Sequence, residues 1–124
     1  MTTRTHDDPA LLALHALVAA LDASAEELAH ARTRAAELVT QREAARSWLD
    51  IVSAETRPLV VERVSTVLAS LTGAGSAFRR EQARALHTEQ VSINRIAALF
   101  GVTRQRISAL LRDRVDERPA PAVE

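Results

Sequence analysis

Apolar positions recur at spacings of three and four along most of the 124-residue chain, which is the period of a helix. Pro9 suits the first turn of a helix, with Asp7 and Asp8 supplying a cap and a charge that answers the helix dipole. The run ALLALHALVAAL then carries the helical pattern to Leu21. Ser24 and Glu27 have the spacing of a capping box and mark a possible second start. From Ala25 to about Ala54 no glycine or proline interrupts a long, polar-rich helix. Whether residues 9–54 form one helix or two stays open at this level. Leu14, Leu17, Leu21, Ser24, Leu28, Ala31, Ala35, Leu38, Arg42, Ala45, Leu49 and Val52 alternate spacings of three and four. That is the seam of a coiled coil, and its many small residues permit close helix packing, parallel or antiparallel.

Pro58 ends this region, because a proline pushes the residue before it out of the helical range. Thr56 is placed to cap a third segment from Pro58 to about Leu71, whose Val60, Val61, Val64, Val67, Leu68 and Leu71 make a broad apolar face. Thr72-Gly-Ala-Gly-Ser76 reads as a linker. Ser76 then caps a helix from Ala77 to about Glu89, anchored by Phe78, Ala85 and Leu86.

The most informative stretch follows, INRIAALFGVTRQRISALLR at residues 93–112. Ile93, Ile96, Ala97 and Phe100 form one apolar stripe, with Ser92 as its cap. Gly101 comes next, where a helix can close in a left-handed residue without a Cβ clash. Val102 lies in the bend, Thr103 caps a second helix, and Ile107, Leu110 and Leu111 face inward from it. Two short helices joined by a tight glycine turn make a helix-turn-helix unit.

The stretch resembles the helix-turn-helix of bacterial DNA-binding transcriptional regulators, a pattern shared with resolvases and several repressor families. The small residue of the first helix corresponds to Ala97, the glycine of the turn to Gly101, the apolar residue after it to Val102, and the branched anchor of the second helix to Ile107, with Leu110 behind it. The resemblance covers only the C-terminal third. It implies that the helix over about 103–112 enters the major groove of double-stranded DNA.

The residues on the outer side of that helix suit the role. Arginine pairs with guanine and glutamine with adenine through two parallel hydrogen bonds, and serine and threonine reach phosphates or bases. Thr103, Arg104, Gln105, Ser108 and Arg112 lie on that side or its edges, and no acidic residue occurs from Thr103 to Arg112. Arg106 adjoins the Ile107 anchor, which leaves it open between a base edge and a phosphate, and Ala109 is a candidate contact to a thymine methyl. Arg80 and Arg84, on one stripe with His87, are assigned to phosphates beside the groove, and Arg95 joins the DNA-binding set. The bland alternative is a solvated face that keeps a helical bundle soluble.

Charge sharpens the picture. The net charge of zero hides an asymmetry: seven arginines stand against ten carboxylates from Met1 to Gly75, about −3, and seven against two from Ser76 to Arg112, about +5. The basic segment coincides with the helix-turn-helix, the electrostatic footprint of nucleic-acid binding. Every basic residue is arginine, aromatics make up 2%, and helix-forming alanine, leucine, arginine and glutamate dominate. A small chain with so little aromatic bulk buries a modest share of its surface alone, which argues for self-association.

The absence of cysteine excludes disulfides and thiolate chemistry. His6, His15, His30 and His87 have no ligand spacing, and no phosphate loop or nucleophile motif occurs, so no enzyme, metal or cofactor is expected. No residue points to a small-molecule effector. No apolar run reaches a membrane span and the N-terminus lacks a signal-peptide core, so the expected location is cytoplasmic, at the nucleoid.

The expected fold is all-α. Residues 1–72 form long helices in a coiled-coil or bundle dimerisation region, 73–75 a linker, 76–113 a three-helix helix-turn-helix domain, and 114–124 a disordered tail. The expected function is a sequence-specific, homodimeric transcriptional regulator. Two rivals are a nucleoid-associated or partition-type protein that binds DNA with low specificity, and a helical adaptor such as an antitoxin or polymerase-binding factor.

Overall fold

The computed structural model describes residues 8–116. Five helices follow one another: α1 (Pro9–Glu43), α2 (Trp48–Ala54), α3 (Val60–Thr88), α4 (Ile93–Phe100) and α5 (Arg104–Asp116). No strand occurs among the described residues, and no helix there is long and apolar enough to cross a membrane. Two compact units can be distinguished, Leu17–Ala74 and the combination of Met1–Ala16 with Gly75–Glu124.

Helix α1 starts where Asp8 Oδ1 accepts from the backbone N–H of Leu11, 3.1 Å away. It runs through Ser24, which is buried in mid-helix at 5% exposure and caps nothing. Of the two readings left open there, a second start or one continuous helix, the helix runs straight through. An uninterrupted run of helix formers continues the helix. The break comes later instead. At Glu43 the chain turns through Ala45, left-handed at φ 68°, with Ala45 N–H bonded to the Arg42 carbonyl and Arg46 N–H to the Gln41 carbonyl. This pair of bonds is a Schellman closure, which satisfies carbonyls left over at a helix end. Ser47 then caps α2 by accepting from Asp50 N–H at 3.1 Å. Consequently Ala45, Leu49 and Val52 are not on the α1 seam.

Within Leu17–Ala74, the covered face of α1 is Leu17, Ala20, Ser24, Glu27, Ala31, Arg34, Leu38 and Gln41. Only Leu17, Ser24, Ala31 and Leu38 of the expected seam belong to it, with Ala35 half-buried at its edge. Leu21, Leu28 and Arg42 are exposed. Ile51 of α2 and Val67 of α3 complete the buried set at 2% and 5% exposure. Ile51, Ala54, Glu55 and Thr56 share a cleft with Arg34, Glu37, Leu38 and Gln41 of α1. Arg63 bonds Glu27 at 2.9 Å. As the chain advances from 55 to 63 its partner on α1 moves back toward 27, so α3 runs antiparallel to α1 in this unit. Trp48 is 57% exposed, with the Arg42 guanidinium 5.1 Å from its ring centroid.

Thr56 does not cap α3. Carboxylates do: Glu62 Oε1 accepts from Leu59 N–H and Glu55 Oε2 from Val60 N–H, both at 2.8 Å. Negative oxygens at a helix N-terminus also answer the dipole. Helix α3 then continues through Thr72–Ser76, where a linker was expected, and Ser76 is an interior helical residue. Two glycines cost roughly 1 kcal/mol each relative to alanine, and a helix tolerates that when its flanks are packed. Leu71, Ala74, Ala77 and Phe78 are all half-buried. The boundary between the units therefore falls inside α1 and α3, and the first turns of α1, up to Ala16, belong with the C-terminal helices. Helix α5 extends to Asp116; the rest of the expected tail, residues 117–124, lies outside the described residues.

Candidate nucleic-acid interface

Helices α3, α4 and α5 meet around Ala83, Ile96, Ala97, Ile107 and Leu110, with Leu86, Val91, Ile93, Phe100 and Leu111 at the margin. Ile96, Ile107 and Ala83 are fully buried. Ala83 was not singled out in the sequence, whereas Phe78, Ala85 and Leu86 were, and these three are half-buried. Alanine carries too weak an apolar signal to mark the closest approach of helices. Arg79 lies over Phe100, 4.1 Å from the ring centroid, and so ties α3 to α4 by a cation–π contact.

The joints between these helices are local chemistry. Thr88 ends α3, and Gln90 adopts φ 73° while Gln90 N–H bonds the His87 carbonyl and Val91 N–H the Leu86 carbonyl. Ser92 caps α4 by accepting from Arg95 N–H at 3.1 Å. Gly101 closes α4 at φ 70°, with Val102 N–H bonded to the Ala97 carbonyl. Thr103 caps α5 by accepting from Arg106 N–H at 3.1 Å. Val102 is 41% exposed, so the apolar residue after the glycine is not a core anchor here.

With Ile107 and Leu110 inward, α5 presents Arg104, Gln105, Ser108 and Arg112 together along one shallow cleft of about 360 Å³. Arg104, Gln105 and Arg112 are exposed and Ser108 is half-buried. Two guanidinium groups, one amide and one hydroxyl therefore line this cleft, with no carboxylate among the lining residues. Exposed Thr103 sits at the N-terminal end of this row.

Arg106 is separate from the row. At 100° per residue it lies on a different side of α5 from Arg104 and Ser108. It lines a second cleft, of about 340 Å³, with Leu110 and with Gly75, Ser76, Arg79 and Arg80 of α3. The structure thus brings Arg80 and Arg106 together and adds Arg79, which the sequence reading passed over. Arg84 is withdrawn. Its side chain is 15% exposed and its Nη1 is 2.7 Å from Glu81 Oε2. It is an ion-pair partner within α3 rather than an open cation. Arg95 is exposed on the first turn of α4.

Among the described residues, no three His, Asp or Glu side chains come together in a way that would hold a metal ion. No protein-family model matches the chain, and no curated protein or solved structure is significantly similar to it.

Proposed function

We propose that this protein is a sequence-specific DNA-binding transcriptional regulator, with α5 as the helix that enters the major groove. The observation that carries the reading is the row Arg104, Gln105, Ser108 and Arg112, which lines one cleft with no carboxylate among its lining residues, opposite the buried Ile107 and Leu110. A B-DNA major groove about 12 Å wide admits one helix, and arginine and glutamine are the side chains that read guanine and adenine there in bidentate fashion. The net charge of about +5 from Ser76 to Arg112 favours approach to phosphates. Thr103, at the start of α5, and Arg95, on the first turn of α4, are the nearest candidates for phosphate contacts flanking the groove. Arg80 and Arg106 share their own cleft to one side, and Arg84 acts through the fold.

The reading includes a homodimer held by residues 17–74. Two copies of α5 then address half-sites about one helical turn apart, or a multiple of it. The testing experiment is selection of bound duplexes from a random library, with salt raised in the later rounds. A repeated or palindromic motif is the expected result. Recovery of bulk DNA without a motif, lost steeply with salt, would replace this function with nucleoid-type binding. No recovery at all would leave a helical adaptor whose partner is a protein.

A further inference from the structure

Within residues 17–74, α1 carries two parallel stripes. The covered one is described above. The other is Val18, Leu21, Ala25, Leu28, Arg32, Ala35 and Val39, again at alternating spacings of three and four. Val18 and Leu21 are 50% exposed, Leu28 43% and Val39 54%. It lies about a third of a turn around the helix from the covered stripe. On α3, Val61 and Leu68 are 74% and 59% exposed and one heptad apart. They are displaced from the covered Val60, Arg63, Val64 and Val67 in the same rotational sense. For antiparallel helices, displacements of the same sense put both stripes on one side of the pair. The Glu27–Arg63 bond sets the register, bringing Leu28 level with Val61 and Leu21 level with Leu68.

The result is one apolar face shared by two helices. Val18, Leu21, Leu28, Val61 and Leu68 together expose on the order of 500 Å², the size of the largest apolar patch on a monomer, roughly 300–600 Å², which is often a functional surface. That is a large part of the roughly 800 Å² each partner contributes to a standard interface.

We infer that this face docks on the same face of a second copy, with the two α1 helices antiparallel about a twofold axis between Ala25 and Leu28. The stripe complements itself in that arrangement. Ala25 opposes Leu28 of the second copy, and Val18 opposes Ala35, so larger side chains meet smaller ones. Leu21 opposes Arg32, whose aliphatic stem lies along it. The Arg32 guanidinium then reaches Asp22 of the second copy, which sits beside Leu21 on the exposed side of α1. The charges select the direction. An antiparallel pair sets Asp22 against Arg32 twice, whereas a parallel pair in register sets Arg32 against Arg32 and Asp22 against Asp22. This inference rests on the homodimer of the proposed function and names its face; it does not depend on DNA recognition.

The natural chain has no cysteine, so introduced thiols are the sole cross-linking sites. Full-length Leu21→Cys and Arg32→Cys proteins are mixed and oxidised without DNA. The expected product is the mixed disulfide between the two variants, exceeding either self-linked product. Dominant self-linked products would overturn the antiparallel arrangement. In parallel, sedimentation compares the natural chain with Leu21→Glu/Leu68→Glu, both positions being exposed so that helicity by circular dichroism is retained. A dimer that becomes a monomer supports the face; an unchanged dimer, or a natural chain that is monomeric at tens of micromolar, overturns it. Duplex selection on the same proteins separates the two ideas. A dimer that selects no DNA refutes the regulator and leaves the face standing, and a motif recovered by a protein that stays dimeric after both glutamates does the reverse.

Discussion

Arg63 Nη1 lies 2.9 Å from Glu27 Oε1 and joins α1 to α3 across 36 residues of sequence. Their side chains are 28% and 47% exposed, so water and salt screen the pair. Its main role is register rather than strength. A double-mutant cycle with Glu27→Ala and Arg63→Ala should give a coupling of about 0.5 kcal/mol, falling in high salt. Urea denaturation at low and high salt measures it. A coupling that does not change with salt would show that the pair is better shielded than its exposure indicates.

Gly73 and Gly75 sit inside α3, neither has positive φ, and a Cβ added at either meets no atom within 4 Å. Alanine should therefore be accommodated. Gly73→Ala and Gly75→Ala are each expected to stabilise the protein by roughly 0.5–1 kcal/mol, since alanine loses less chain entropy in a helix. Thermal melts followed by circular dichroism test this. A loss of stability in either variant would mean that a helical α3 is not the resting conformation at that point.

Three helix ends close through a left-handed residue, and only one of the three is glycine. Ala45, Gln90 and Gly101 have φ of 68°, 73° and 70°. For a residue with a Cβ that conformation costs about 1–2 kcal/mol. Ala45→Gly and Gln90→Gly should each recover part of this, near 1 kcal/mol, and Gly101→Ala should lose a similar amount. Because no atom lies within 4 Å of a Cβ built at Gly101, its penalty is conformational and not a clash. Chemical denaturation of the three variants should show two gains and one loss.

Arg104 and Arg84 offer a paired test of the DNA reading. Arg104 is open in the α5 row, whereas Arg84 is bound to Glu81 and 15% exposed. Arg104→Ala is expected to relax base preference at one position and cost about 1–3 kcal/mol in binding, with stability unchanged. Arg84→Ala should lower stability and leave base preference as it is. Binding titrations on a selected duplex and on its single-base variants, beside a melt of each protein, distinguish the two effects.

The all-helical fold, both ends of α4 and the start of α5 were legible because their signals are local. Ser92, Thr103 and Gly101 each act within a few residues, and each takes the role its chemistry indicates. Ala45 and Gln90 do the same work as Gly101 without its signature, so the break after Glu43 was invisible. The opposite error arose at Gly73 and Gly75, where a turn signature lies within a helix whose flanks are packed. Three residues with the right side chain cap nothing: Ser24 is buried in mid-helix, Thr56 is displaced by the carboxylates of Glu55 and Glu62, and Ser76 lies exposed inside a helix that runs on through it. The expected seam straddles two adjacent stripes of α1, because sequence spacing cannot say which of them the same chain covers. Of the candidate site, the outer row of α5 followed from helical period alone. The pairing of Arg84 with Glu81 and the gathering of Arg79, Arg80 and Arg106 depend on how helices lie against one another.

Trp48 gives the molecule an unusual optical property. It is the sole tryptophan, no tyrosine accompanies it, and it stands 57% exposed on the short α2 beside Arg42. Its emission is therefore already that of an indole in contact with water, and it reports on the corner between α1 and α2. Intrinsic fluorescence will register events at that corner and stay nearly silent while the Ile96–Ile107 cluster loosens. An apparent fluorescence midpoint belongs to α2 and its surroundings, and the helical signal in the far ultraviolet belongs to the whole chain.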